Sequence, residues 1–529
     1  MASSSRRSNQ LPKGGACLNC RHRKIKCDGR QPKCGQCAGS AIFHECEYYG
    51  QGMTKTRMLE EQISTVERRI HELENARQAS PGSPIFLTQP YNTLLPSQGN
   101  PGNEQPKNMP VQVHQVILRT FLRNCAELGF FLDITHFVQS TTSSNLVERP
   151  VPALLSAAYL WGIHLSPSPE IAAWEGLFLK QAVNHATQGL ANCSSHPYGV
   201  IQCIQAEVLL AQYFFRNMKM LEGKYHTSAA VSLVLSSGLH KIRSQNGGSG
   251  SILGEARNAL EEGERLNGLW TVVILNNSWT AVDGSPSNLS EADATRIDAP
   301  WPLDISEYSR LPRPLDRSSH TIQRFLRGDA DAGTSILSLH AKASILFEQA
   351  SRFGAKVHPG MNSVQVNQFK ATFASFSDVL ERFIERLPTF QAMLTLSTPA
   401  TAVMIYTLAH ATVIILHFPV ISLNPNSLER MDRAALAITQ VLSAMNIADF
   451  PFIDAIMGVL WSTACRFLIV RVSSMPQPQQ ATAQRLLQMI MGALTVVAPR
   501  SAFVGLDAYT IRASTDYYHP LRPQTVVRT

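Results

Sequence analysis

Six of the ten cysteines in this 529-residue chain fall in one short run, spaced Cys17-x2-Cys20-x6-Cys27-x6-Cys34-x2-Cys37-x8-Cys46. A C-x2-C pair can chelate one ion from a tight turn, and structural zinc takes four thiolate or imidazole ligands in a tetrahedron. The run divides into two similar halves, C-x2-C-x6-C and C-x2-C-x8-C, and each supplies only three thiols. Two separate ions therefore need either two shared thiolates or a histidine each, and His22 and His44 are the candidates. A pseudo-symmetric pair of ions with two bridging thiolates fills every position. His22 lies in a basic run where a helix would point it outward. A disulfide knot is the remaining alternative. The N-terminal "MASSSRRSNQLPKGG" has no apolar core of a secretory signal, so a reducing compartment and metal-ligating thiols are the expectation.

Charge gathers in the same place. The chain has 47 Lys/Arg against 39 Asp/Glu, a formal net charge of +8. Residues 1–58 hold 11 of the basic residues and 3 of the acidic ones, which leaves 36 of each sign in the remainder. The whole excess thus sits with the cysteines, as an electrostatic footprint for a polyanion. Two zinc ions with six thiolates carry about −2, so the basic side chains offset the cluster as well as facing a partner. A single Lys or Arg reads most simply as a solvated surface charge, but Arg21, His22, Arg23, Lys24 and Lys26 between two zinc ligands do not. Between Cys17 and Cys27 there is room for about two helical turns, too few to stand alone in water. Metal ligation at both ends would be the source of its folding free energy.

At these residues the stretch resembles the DNA-binding domain of the fungal binuclear zinc cluster (Zn2Cys6) transcription factors. That pattern is C-x2-C-R-x-R-K-x-K-C-D, a short loop with Pro, then C-x2-C and a last Cys. Arg21, Arg23, Lys24, Lys26, Asp28 and Pro32 stand where it puts them. The resemblance implies Zn2+, two per chain, with Cys17 and Cys34 bridging, Cys20 and Cys27 completing one ion, and Cys37 and Cys46 the other. It also implies that the C-terminal end of the first helix enters the major groove of double-stranded DNA. Lys24 aligns with the base-reading lysine, Arg23 is its helper, and related proteins read CGG-like triplets this way. Lys or Arg donating to guanine is the commonest specific contact. Arg21, Lys26, Arg30 and Lys33 look like phosphate contacts, which position without specifying.

After a short linker, "TRMLEEQISTVERRIHELENA" places apolar residues at Leu59, Ile63, Val66, Ile70 and Leu73, in steps of 4, 3, 4 and 3. Ile at a with Leu or Val at d favours a parallel two-stranded coil. Arg69 at g would face Glu74 at e of the partner. An amphipathic helix packed on its own chain is the alternative, but the position beside a DNA-binding module favours a homodimer. Residues 79–110, rich in Pro, Gly, Ser, Asn and Gln, read as a disordered linker.

From residue 111 onward, apolar stretches recur at helical spacing and strand alternation is scarce, so the expected architecture is helix packed on helix. The uncharged segment 400–421, "ATAVMIYTLAHATVIILHFPVI", is long enough to span a bilayer. Its three Thr, two His and Pro419, with no close Lys/Arg cluster, read instead as a buried core helix. Two stretches, "AQYFFRNMKMLEGKYHTSAAVSLVLSSGLHKI" (211–242) and "EGERLNGLWTVVILNNSWTAVDGSPSNL" (262–289), resemble the fungal-specific transcription factor, or middle homology, domain. The second departs from the usual Asp-Arg, with Asn276 and Asn277 in its place.

No Gly-rich phosphate loop, G-x-S-x-G or H-E-x-x-H occurs. Cys125, Cys193, Cys203 and Cys465 lie far apart and read as buried thiols. His226 and His240, fourteen residues apart, read as structural. The expected chain is mostly α: residues 1–15 a disordered basic N-terminus, 16–50 a Zn2Cys6 DNA-binding domain, 51–78 linker and coiled coil, 79–110 linker, and 111–520 an all-α regulatory domain. The expected function is a non-enzymatic, zinc-dependent regulator of RNA polymerase II transcription in the nucleus, a homodimer that meets DNA and the transcription machinery and no membrane. The alternatives are a zinc module that binds protein, with the helical part as scaffold, and a helical enzyme carrying a zinc module.

Overall fold

The computed structural model describes residues 15–39, 46, 64, 111–145, 147–192, 198–245, 253–289, 296–311, 315–355, 362–421, 424, 426–476 and 479–518. The heptad positions Leu59, Ile63, Val66, Ile70 and Leu73, the 79–110 segment, His44, Cys193 and the side chain of His22 lie outside the described residues. The chain divides into two compact units, Met1–Gln105 and Pro106–Thr529.

In the smaller unit, α1 (Leu18–His22) and α2 (Gly35–Ala38) each begin directly after a cysteine. Cys17 caps α1 with φ −63° and ψ 156°, and Cys34 caps α2 with φ −68° and ψ 153°. The two C-x2-C halves are therefore the same local structure used twice. The first thiol of each pair is the N-cap, and the second sits in the first turn. Helix N-termini favour negative charge, but burial outweighs this and raises the thiol pKa values of Cys17, Cys20 and Cys37.

The sequence leaves room for a helix as far as Cys27, but α1 stops at His22. The reason is geometric. At 1.5 Å per residue a continuous helix would carry Cys27 about 15 Å from Cys17, too far to share an ion. The chain instead reverses at Lys24, which takes φ +53°. The Lys24 N–H donates to Arg21 O at 3.2 Å and the Ile25 N–H to Cys20 O at 3.1 Å. That pair of bonds around a left-handed residue is the Schellman helix stop, in which glycine is the usual occupant.

The regular secondary structure of the larger unit's described residues is all helical, apart from one isolated bridge between Ser244 and Ser318. Its main helices are α3 (Val111–Asn124), α4 (Pro152–His164), α5 (Glu175–Asn192), α6 (Gly199–Arg216), α7 (Met220–Ser236), α8 (Ala259–Asp283), α9 (Ile336–Ala355), α10 (Pro399–His417), α11 (Asn426–Ser443), α12 (Ile456–Ser474), α13 (Gln479–Val497) and α14 (Ala502–Tyr518). The first five pack in a chain-order sequence of neighbours, α3 on α4, α4 on α5 and α6, and α6 on α7. The α3–α4 crossing is close because position 162 carries no side chain: a Cβ on Gly162 would stand 2.2 Å from Ile117 O.

Helix α8 is the axis of the unit. Asn258 caps it by accepting the Glu261 N–H, and Gly284 ends it at φ +67°. Every residue from 263 to 280 is buried, so it is covered on all sides, by α7 and α9 among others. Several of its polar residues are partnered. Asn276 donates to Ser287 Oγ at 2.9 Å and accepts from Asn288 at 3.1 Å. The departure from Asp-Arg at Asn276 thus serves to tie the 284–289 loop to its own helix. Glu207 and His226, both buried, pair at 2.6 Å, and the His226 ring stacks on Phe214.

Three helices, Pro399–Val420, Ile456–Ser474 and Gln479–Arg500, are long and apolar enough to cross a bilayer. In the fold, α10 within the first of them packs against α9, α11 and α12. Cys125, Cys203 and Cys465 are buried in this unit.

Candidate metal centre and nucleic-acid interface

The short caps bring six sulfurs into one cluster. Cys17 Sγ stands 3.7 Å from Cys34 Sγ and 3.9 Å from Cys37 Sγ; Cys20 Sγ stands 3.6 Å and 3.9 Å from the same two. A tetrahedron with zinc–sulfur bonds of about 2.3 Å has edges of about 3.8 Å, so Cys17–Cys34, Cys17–Cys37 and Cys20–Cys34 lie at the separation of two ligands on one zinc. Two groups of four ligand atoms, each within 4.8 Å of one another, are Cys17, Cys20, Cys27 and Cys34, and Cys17, Cys34, Cys37 and Cys46. Cys17 and Cys34 belong to both. Five of the six cysteines are buried, with Cys46 half-buried.

Backbone donors surround the sulfurs. Gly29 N–H donates to Cys27 Sγ, Cys34 N–H to Cys46 Sγ and Cys37 N–H to Cys34 Sγ, each at 3.4 Å. Such bonds spread the negative charge of a thiolate cluster. Burial raises the thiol pKa values of Cys17 and Cys20. Burial also opposes ionisation of Cys27 and Cys46, but the hydrogen bonds these two accept outweigh it and hold both below the usual thiol value. The site therefore combines thiols that ionise readily with thiols that need a metal's charge to lose their proton.

A second device holds the two halves together. The Asp28 carboxylate accepts the Gly35 N–H with both oxygens, at 2.9 and 3.1 Å. A Cβ on residue 35 would fall 2.8 Å from Asp28 Oδ2, so any larger residue directly after Cys34 would have to displace the Asp28 carboxylate. The role of Gly35 was not read from the sequence. Its signal was the Cys-Gly dipeptide at a helix start, seven residues after an Asp. Arg30 Nε lies 3.8 Å from Asp28 Oδ2 on the outside of this latch. Gln31–Pro32, between them, is a cis peptide.

Around the sulfurs the basic side chains face outward. Arg21, Arg23, Lys24, Lys26 and Arg30 are exposed, and Lys33 is half-buried. Arg21 lies on α1, Arg23 is its C-cap and Lys24 the left-handed residue that follows. The helix end thus carries consecutive cations on a backbone fixed by two hydrogen bonds, with Ile25 exposed beside them.

A small thiolate cluster that folds two short helices and dresses them in cations is a two-zinc module, and the comparisons agree. Residues 15–55 match the fungal Zn(2)-Cys(6) binuclear cluster domain, whose two-ion stoichiometry these cysteines fit. Among curated proteins, the chain is 29% identical over 105 residues to the heme-responsive zinc finger transcription factor HAP1 of Saccharomyces cerevisiae (strain Kyokai no. 7 / NBRC 101557), covering 19% of this chain and 7% of that protein. The counterpart from strain ATCC 204508 / S288c is 29% identical over 93 residues, 17% of this chain and 6% of its own length. The likeness thus spans only a small part of these relatives. No solved structure matches the chain.

Proposed function

We propose that the chain is a zinc-dependent, sequence-specific DNA-binding regulator of RNA polymerase II transcription that acts in the nucleus. The observation that carries this reading is the outward basic run fixed to the sulfur cluster at the end of α1. Zinc supplies the charge that lets six neighbouring thiols ionise together and so folds the module. Cys17 and Cys34, common to both groups of four sulfurs, are the shared ligands. Cys20 and Cys27 complete one ion, Cys37 and Cys46 the other.

Lys24 reads the base edge of a CGG-like triplet, with Arg23 beside it. Arg21, Lys26, Arg30 and Lys33 neutralise phosphates. The heptads at Leu59, Ile63, Val66, Ile70 and Leu73 pair two copies, so that two triplets are read together. The helical unit serves as the regulatory domain, of the middle homology kind, and contacts the transcription machinery. The chain performs no catalysis in this account.

The test compares two losses of the same charge in the zinc-loaded full chain. Lys24→Ala should cost about 1–3 kcal/mol on the preferred site and relax the triplet preference. Lys33→Ala should weaken all sequences alike and flatten the salt slope by about one unit. If Lys24→Ala lowers specific and random-DNA affinity by the same factor, Lys24 is not the base reader. If neither protein distinguishes DNA sequences, the protein-binding zinc module is the better account.

A further inference from the structure

The helical unit contains a cavity of about 390 Å³. Folded interiors leave few voids larger than a water molecule, and this volume is that of a small-molecule site. It is a cleft partly open to solvent, bounded by the 125–134 segment, the middle of α8 and the N-terminal turns of α9, α10 and α12, with the exposed Ile134 and Leu396 at its mouth. Most of the wall is apolar, including Phe130, Trp279, Met404 and Met457.

Two polar atoms in the wall lack hydrogen-bond partners. Trp461 is fully buried and its Nε1–H has no acceptor. Two other buried indoles in this core do have one: Trp161 donates to Leu209 O and Trp270 to Pro300 O, each at 2.8 Å. Glu127 Oε2 is likewise buried without a hydrogen-bond donor, although its carboxyl interacts with the side chain of Thr398, which also lines the cleft. An orphaned buried polar atom forfeits the hydrogen bond it made in water, and here two such atoms border one cavity.

The wall also sets the charge of an occupant. Glu127, Asp304 and Asp454 line it, and among the described residues no Lys or Arg does. Burial raises the Glu127 and Asp454 pKa values towards the neutral form, and it pushes His340 down to about 4, leaving that ring uncharged at neutral pH. A carboxylate or phosphate would find no cation there and would face three acids.

We propose that this cavity binds an uncharged, mostly apolar small molecule bearing an acceptor oxygen for the Trp461 N–H and a donor for Glu127. The two protein atoms are shielded from solvent, so binding requires both side chains to shift, which the Trp461→Phe comparison reads out. The site lies wholly within the helical unit and stands independently of DNA binding.

The test uses the full chain with Nile red, an uncharged fluorophore with a carbonyl acceptor, and pyrene, a hydrocarbon with none. Nile red should bind at one saturable site per chain, and excess palmitate, an anion, should not displace it. Trp461→Phe should weaken Nile red about 5–10-fold, the worth of one neutral hydrogen bond, and leave pyrene within twofold. Ala400→Trp, which fills the half-buried wall at the start of α10, should abolish both while far-UV circular dichroism stays unchanged. No saturable Nile red site, displacement by palmitate, or equal losses of Nile red and pyrene in Trp461→Phe would overturn the proposal. If either variant loses its helical signal, the palmitate competition on the unaltered chain still decides.

Discussion

Lys24 holds a position that suits glycine, and replacing it with glycine separates folding from recognition. A non-glycine residue in the left-handed region costs roughly 1–2 kcal/mol, and Lys24 stands there at φ +53°. Glycine removes that strain but adds about 0.5–1 kcal/mol of chain entropy to the unfolded state. The backbone bonds of Lys24 to Arg21 and Ile25 to Cys20 do not involve the side chain, so they survive. Lys24→Gly should therefore fold as well as the parent or better, by up to about 1.5 kcal/mol, about a tenfold gain in the folded-to-unfolded ratio. The same change removes the proposed base reader, and affinity for the preferred DNA should fall by about 1–3 kcal/mol. Zinc retention against a chelator, measured on the full chain, reads the first effect; fluorescence anisotropy on preferred and scrambled duplexes reads the second. A variant that surrenders zinc faster than the parent would refute the helix-stop reasoning. A variant that keeps its zinc and its full sequence preference would refute the assignment of Lys24.

Three further outcomes follow from the same geometry. Cys17→Ala should release both zinc ions and Cys20→Ala one before the other, checked by elemental analysis of the purified chain; one zinc per parent chain would exclude the bridged cluster. Ile63→Asp with Ile70→Asp puts like charges on the heptad seam and should abolish high-affinity binding to paired triplets while leaving weak binding to one, measured by mobility shift. Glu264, buried beside Asp133 and Glu261, has its pKa raised to about 7, chiefly by burial, partly offset by the Asp133 N–H it accepts at 3.0 Å. A carboxyl raised in the fold stabilises it in the protonated form, so its contribution is whole below about pH 4.5 and is lost as pH rises through 7. Glu264→Gln should thus melt higher than the parent above pH 7, by a stability on the order of 3 kcal/mol at most, and match it near pH 4.5; a melting-temperature gap that does not widen with pH would contradict this.

The zinc module was legible because its information is one-dimensional. Six cysteines at fixed spacing and a run of cations specify both the donor set and its charge. The helix stop was not legible, because a lysine gives no sign of left-handed backbone where glycine or asparagine would. The Asp28–Gly35 latch was half visible: Asp28 belongs to the recognised pattern, but its partner is a backbone N–H whose position only the folded loop sets. In the helical unit the periodicity fixed helix after helix, including the buried reading of 400–421, because burial of long apolar stretches leaves a 3.6-residue trace. The cavity left none. Its walls come from positions as distant as Phe130 and Trp461, and only packing shows that the indole N–H of Trp461 and one oxygen of Glu127 are left without hydrogen-bond partners. The heptad seam at Ile63 and Ile70 rests on the sequence alone.

Binding-site selection from random duplex DNA with the full chain, run with zinc and after chelation, tests the central claim most directly. The account predicts one enriched motif built from two CGG-like triplets, obtained only with zinc and lost in Lys24→Ala. Recovery of no motif from zinc-loaded protein, or of the same motif after the zinc has been removed, would contradict it.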